Sequence, residues 1–328
     1  MSRAGRILRV DPEAAIPGGE IVIECAEFET RPLGACRVWL AGESARLVGL
    51  NARRALAILP EGLAGGEVEV NLENRLGHTD ATKVVVGRKL AEDLHPVANP
   101  AFDPDDGALF VTRSGSRGQS LPVSIFRINS GGELADFSGD IMNPTGIAFD
   151  RSGQMFVTSR MDGNVYRVTP FKEAVAFARN LGVATGLAFD PQGQMYVGDR
   201  TGTIYRINGI GEETAWAQLE PSVSAYHLAF GPDAALYVTG PTVSSFESVM
   251  RIDQSGQSSV FYRGLGRPQG LAFDRDGYLY VAASLRGRRG IVRLSPGADE
   301  AQLVVAGMNV VGLAFGPAGE MIVATNDS

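Results

Sequence analysis

The chain has 328 residues, 44% hydrophobic and 20% charged, with 41 glycines and a formal net charge of −7. That is ample apolar material for a core in one or two domains, and the acidic balance excludes the basic surface on which nucleic-acid binding depends. No run approaches 18 apolar residues, so no membrane span is expected, and "MSRAGRILRV" lacks the apolar segment of a signal peptide, so a cytoplasmic location is expected.

Residues 5–87 hold seven short segments of strand character. They are "RILRVDP", "GGEIVIECAEF", "CRVWLAG", "SARLVGLN", "ALAILPEGL", "GEVEVNLEN" and "TKVVVG". Several alternate apolar and polar residues, the pattern of a sheet with one buried face. Seven strands in so short a stretch predict a β-sandwich. Cys25 and Cys36 are expected as reduced thiols, and two cysteines with no nearby histidine make no zinc site.

A repeat follows. The phenylalanine of an "AF" element recurs at Phe102, Phe149, Phe189, Phe230, Phe273 and Phe315, at intervals of 40 to 47 residues. Each unit reads as an x-G-[IL]-A-F-D strand, a tight Asp/Gly turn such as "DRSGQ", and a "MFVT"-type strand. A third strand such as "TIYRI" and a less regular fourth complete the unit. Four short strands per unit predict a β-propeller blade, and six units predict six blades. Residues 88–97 are expected to close the ring as the outer strand of the C-terminal blade, which as written lacks one strand. The expected organisation is all-β: a sandwich over 1–87 and a six-bladed propeller over 88–328.

Two resemblances accompany this reading. "VDPEAAIPGGEIVIECAEF" and "ILPEGLAGGEVEVNLENRLGHTDATKVVV" resemble the IPT/TIG family of immunoglobulin-like modules, which implies an immunoglobulin-like sandwich acting as a spacer or docking piece. "PTGIAFDRSGQMFVTSR", "ATGLAFDPQGQMYVGDRTGTIYRI" and "PQGLAFDRDGYLYVAAS" resemble the NHL-repeat group. They also resemble the superfamily of gluconolactonase, senescence-marker-protein and strictosidine-synthase-like propellers. Such phrases identify architecture better than activity.

In a propeller, the loop entering the innermost strand and the loop joining strands two and three share one face. Together they should line a mouth, the default ligand site. The entering loops contribute Thr145, Thr185, Tyr226 and Gln269; the others contribute Arg113, Arg160, Asp199 and Arg200. Arg267 precedes "PQG", and Arg286 lies in the fifth blade's loop. In the fourth unit Tyr226-His227 stands where four other units carry a polar or apolar residue followed by glycine. The pair is either a packing plug or a wall of the mouth, with His227 supporting Tyr226. The arginines point to an anionic small molecule, glycan or peptide, or to a protein partner, because guanidinium pairs with carboxylate and phosphate in a bidentate way. Local pairing with Asp162 or Asp199 is the alternative. A second column, Arg127, Arg167, Arg206, Arg251 and Arg293, repeats in strand three and is expected to make inter-blade pairs.

The resembled gluconolactonases hold a divalent metal with a Glu of the first blade and an Asn and an Asp of entering loops. Here Thr145, Thr185 and Gln269 stand in such loops instead. Neither a cofactor nor a metal ligand set is expected, and no catalytic residue can be assigned. A cation such as Ca²⁺ enters only if the protein is a lactone hydrolase. The leading expectation is a non-catalytic binding propeller.

Overall fold

The computed structural model describes residues 4–116, 119–240, 242 and 248–328. The chain divides into two compact units. One comprises Met1–Lys89, Gly287–Val292 and Gln302–Asn309; the other comprises Leu90–Arg286, Arg293–Ala301 and Val310–Ser328. The division is therefore not a single cut at residue 87.

The first unit contains two sheets. One has the order Arg6–Asp11, Glu20–Ala26, Arg54–Ile58, Arg46–Asn51. The other carries Ala14–Ala15, Thr82–Val86, Gly66–Asn74, Arg37–Leu40 and Glu43–Ser44. All seven sequence segments are strands, joined by three two-residue strands. Ile21, Ile23, Ala55 and Ala57 of one sheet and Val38, Leu40, Val70 and Leu72 of the other form one core, so the alternating residues are the inward ones. Cys25 and Cys36 are free and buried, and burial pushes both thiols above their ordinary pKa.

The second unit is a propeller. Blades 1 to 4 are antiparallel four-stranded sheets, with innermost strands Ala101–Phe102, Pro144–Phe149, Ala184–Phe189 and His227–Phe230. The fifth blade has Leu271–Phe273 as its innermost strand, paired with Leu279–Leu285. The last sheet has only Val310–Phe315 and Met321–Thr325. Residues 88–97 do not form the expected outer strand. They meet the last sheet through the Leu94 and His95 N–H groups, both donating to the Asp327 carbonyl, and meet blade 1 through a Pro96–Arg113 bridge. Pro96 has no N–H to extend a ladder.

Three features of the repeat have physical causes. The aspartate of "AFD" accepts from nearby backbone N–H groups. Asp150 Oδ1 takes Ser152 N at 2.8 Å and Gln154 N at 2.9 Å, and Asp190 repeats this. The phenylalanine of "AF" packs against the strand-two aromatic of the preceding blade. The pairs are Phe149–Phe110, Phe189–Phe156, Phe230–Tyr196, Phe273–Tyr237 and Phe315–Tyr280, with centroids 4.9–5.6 Å apart. The glycine permits close approach. A Cβ on Gly146 would lie 2.5 Å from the Thr185 carbonyl oxygen, and one on Gly186 would lie 2.6 Å from that of Tyr226. The inner strands of neighbouring blades touch there, so a side chain has no room.

Candidate functional site

The rim is built the same way in successive blades. After strand two, a backbone N–H returns to the blade's own entering loop. Arg160 N donates to Asn143 O at 3.2 Å, and Arg200 N donates to Val183 O at 3.1 Å. Arg113 occupies the same place through its bridge to Pro96. In blade five, Gly266 pairs with Ser284 and Leu265 with Leu285, and exposed Arg267 and exposed Arg286 follow at opposite ends of this antiparallel pairing. Both adopt positive φ, 50° and 52°, at their turns. The rim therefore carries Arg113, Arg160, Arg200, Arg267 and Arg286.

None of these five forms an ion pair with a described residue. The aspartates nearest in sequence are engaged elsewhere. Asp162 accepts from the Tyr166 hydroxyl at 2.5 Å and from Asn164 N. Asp199 accepts from Val183 N at 2.8 Å, from Thr201 N and from the Thr201 hydroxyl. Arg160 extends one nitrogen to Gly115 O at 3.4 Å. Partial burial and the neighbouring Arg200 charge pull Arg160 below its ordinary pKa. The two arginine charges thus act on each other, and neither forms an ion pair with a described residue.

The strand-three arginines behave differently. Arg127 pairs with Asp106 at 2.5 Å and Arg251 with Asp233 at 2.7 Å, while Arg293 lies 5.0 Å from the Tyr278 ring centroid. Each partner belongs to the arginine's own blade, so these contacts are intra-blade, not inter-blade. They brace strand three against the turn between the first two strands.

The remaining candidates lie beneath the rim. Thr185 is buried; its hydroxyl donates to Gly198 O at 3.0 Å and accepts from Tyr226 N at 3.0 Å. Thr145 is buried, with its carbonyl accepting from Thr112 Oγ1 at 2.8 Å; its hydroxyl has no partner among the described residues. Asp199 is 3% exposed and holds the loop end together. Gln269 is half-buried, with its carbonyl accepting from the Thr239 hydroxyl. These groups tie neighbouring inner strands together.

Tyr226 is 3% exposed and packs with Tyr196, Leu228 and Val238 in one core. Its hydroxyl donates to Glu220 O, and burial, with the Glu220 and Asp199 charges, pushes its pKa up to about 12. It borders a cleft of about 320 Å³ with Leu219, Met250, Val260 and Arg263. His227 borders a channel of about 350 Å³ lined by the innermost strands. Burial drives its pKa down to about 4, so it is neutral at pH 7, and it has no hydrogen-bond partner among the described residues.

Asn99 is a channel-lining position that the repeat phrase does not bring out. It takes the glycine place in blade 1 as His227 does in blade 4, and both line the channel. Its amide donates to Leu271 O at 2.7 Å and accepts from Leu313 N at 3.1 Å. The missing glycine was its visible signal.

Comparison with known proteins places this geometry. A family model described as "Strictosidine synthase-like, N-terminal" matches residues 186–207. No curated protein matches the chain. A gluconolactonase of Xanthomonas campestris is 16% identical, covering 72% of this chain and 86% of its own, with a TM-score of 0.60. An auxiliary nutrient binding protein of Bacteroides thetaiotaomicron is 14% identical, covering 99% and 96%, with a TM-score of 0.55. A virginiamycin B lyase of Staphylococcus aureus is 18% identical, covering 71% and 78%, with a TM-score of 0.54. The fold is thus a propeller of the strictosidine-synthase-like and gluconolactonase type. Among the described residues, no helix is long and apolar enough to cross a membrane.

The gluconolactonase likeness raises a divalent cation at the mouth. The residues present do not fit one. Asp199 spends its carboxylate on three local donors, Thr185 spends its hydroxyl on neighbouring backbone, and the rim side chains are cationic.

Proposed function

We propose that the propeller is a non-catalytic binding module that takes an anionic small molecule, glycan or peptide at its arginine rim. The observation that carries this is the Arg160–Arg200 pair: adjacent like charges with no acidic partner among the described residues, in a chain of net charge −7. Like charges held together raise the free energy of the empty site, and an anion between them relieves it. Guanidinium offers two parallel donors to a carboxylate or phosphate. The nutrient-binding protein of the same fold accords with a small molecule or glycan as the ligand.

We read residues 1–87 as an immunoglobulin-like module of the IPT/TIG type, serving as spacer or docking piece. Its seven strands in two sheets about one core support that reading. Unbridged Cys25 and Cys36 accord with a reducing compartment such as the cytoplasm.

The alternative is a metal-dependent lactone hydrolase, for which the mouth offers no free carboxylate among the described residues. The two readings separate in one comparison. The purified protein is assayed for lactone hydrolysis with and without Ca²⁺, Mg²⁺, Mn²⁺ or Zn²⁺, and for binding of citrate, gluconate and inorganic phosphate. Anion binding without turnover is the expected result. Metal-dependent turnover would establish the hydrolase instead.

A further inference from the structure

The interface between the last sheet and blade 1 is built unlike the other five. Five interfaces carry an aromatic pair, whereas here Phe102 packs in a cluster with Ile322, which occupies the strand-two aromatic place. The last sheet has two strands instead of four. Backbone hydrogen bonds across this closure include those from Leu94 and His95 N–H to Asp327 O.

At this joint, one ligand atom from each of Asp93, His95 and Asp327 lies within 4.8 Å of the others, and all three residues are exposed. Asp327 lies more than 200 residues along the chain from Asp93 and His95 and meets them only through closure. His95 Nδ1 lies 3.2 Å from Asn326 O. Nδ1 must carry the proton to donate to that carbonyl, which leaves Nε2 with its lone pair free. A backbone carbonyl on the second ring nitrogen is the arrangement that orients a metal-binding histidine. Neither carboxylate has an ion pair or side-chain hydrogen bond to a described residue. Two carboxylates at this separation repel unless a cation lies between them.

We propose that Asp93, His95 and Asp327 form a metal clasp across the ring closure, taking one divalent first-row transition ion of the Zn²⁺ class. One imidazole and two carboxylates suit such an ion better than Ca²⁺ or Mg²⁺, which favour all-oxygen shells. Zinc–nitrogen and zinc–oxygen bonds of about 2.0–2.2 Å require only a modest inward rotation of the three side chains, with water completing the shell. The ion would cross-link residues 93–95 to residue 327 at the interface that lacks an aromatic pair, and it is separate from the arginine rim's proposed ligand.

The test uses the full chain, stripped with chelator and titrated with Zn²⁺ by calorimetry, with melting temperature followed in parallel. The expected result is one equivalent bound and a rise of several degrees in Tm at saturation. Binding should weaken at least tenfold in His95→Gln and in Asp327→Asn, and stay unchanged in His78→Gln. Ca²⁺ at the same concentration should not compete. Circular dichroism confirms that each variant is folded. If a variant is not, Co²⁺ loaded into the unaltered protein reports imidazole ligation through its absorption bands and through the shifted His95 proton resonances. Absence of saturable Zn²⁺ binding below millimolar concentration, binding indifferent to both variants, equal binding of Ca²⁺, or no imidazole signature with Co²⁺ would each overturn the proposal.

Discussion

Two columns of arginines repeat around the propeller, and their surroundings differ. In strand three, Arg127 and Arg251 meet Asp106 and Asp233 of their own blades, and Arg293 lies over Tyr278. At the rim, Arg113, Arg160 and Arg200 sit just as regularly, yet make no ion pair with a described residue. Regular placement is therefore not a sign of structural duty. What separates Arg127 and Arg251 from the rim arginines is that an acid of the same blade reaches the guanidinium. A charge left unneutralised near a second like charge works against the fold by itself, which makes the rim the place to look for a ligand.

The comparison extends inward, where the largest effect is expected. Tyr226→Ala should cost about 3–5 kcal/mol in urea unfolding, because it empties a buried aromatic site between blades. Tyr226→Phe should cost only about 1 kcal/mol, the worth of the hydrogen bond to Glu220 O, and leave anion binding intact. Loss of binding in a stable Tyr226→Phe variant would return this residue to the site.

His227 gives the next effect, through pH. Its folded pKa of about 4 lies below the unfolded value of 6.5, so the unfolded chain binds the proton first as pH falls. Its contribution is fully present above pH 6.5 and is lost as pH drops from there to about 4, amounting to about 3 kcal/mol. A His227→Gln variant should flatten that part of the stability–pH curve. An unchanged curve would mean that the imidazole is hydrated in the channel.

Smaller again is the rim. Arg160→Gln and Arg200→Gln should each weaken anion binding about tenfold, with Tm unchanged or slightly raised, since a repulsion is removed. Raising the salt concentration should weaken binding by the unaltered protein more than by either variant. The smallest change belongs to the paired column. Arg251→Gln should cost about 0.5–1 kcal/mol, because its pair with Asp233 is partly solvent-screened, and should leave binding untouched. A drop in Tm for Arg200→Gln as large as that for Arg251→Gln would erase the distinction between the columns.

Much of the architecture was legible in the sequence because its causes are local and repeated. The phenylalanine of the aromatic pair recurs every 40 to 47 residues, and the aspartate turn and the glycine at the close approach mark most units. Closure was less legible, because residues 88–97 join the last sheet through two backbone hydrogen bonds rather than a strand. Of the site, the arginine positions were legible from their place in the repeat. The burial of Thr145, Thr185 and Tyr226 was not, since it depends on how closely neighbouring inner strands approach. Asn99 was overlooked because its blade was read for its "AF" and not for its missing glycine.

The central claim is that the rim arginines are free to hold an anion. Calorimetric titration of citrate, gluconate and inorganic phosphate into the unaltered protein and an Arg160→Gln/Arg200→Gln double variant, at low salt, tests it most directly. The account predicts that at least one of the three binds the unaltered protein, and binds the double variant about 100-fold more weakly, while both proteins unfold at the same temperature. Equal affinity for the two proteins, or no binding of any of the three to either, would contradict it.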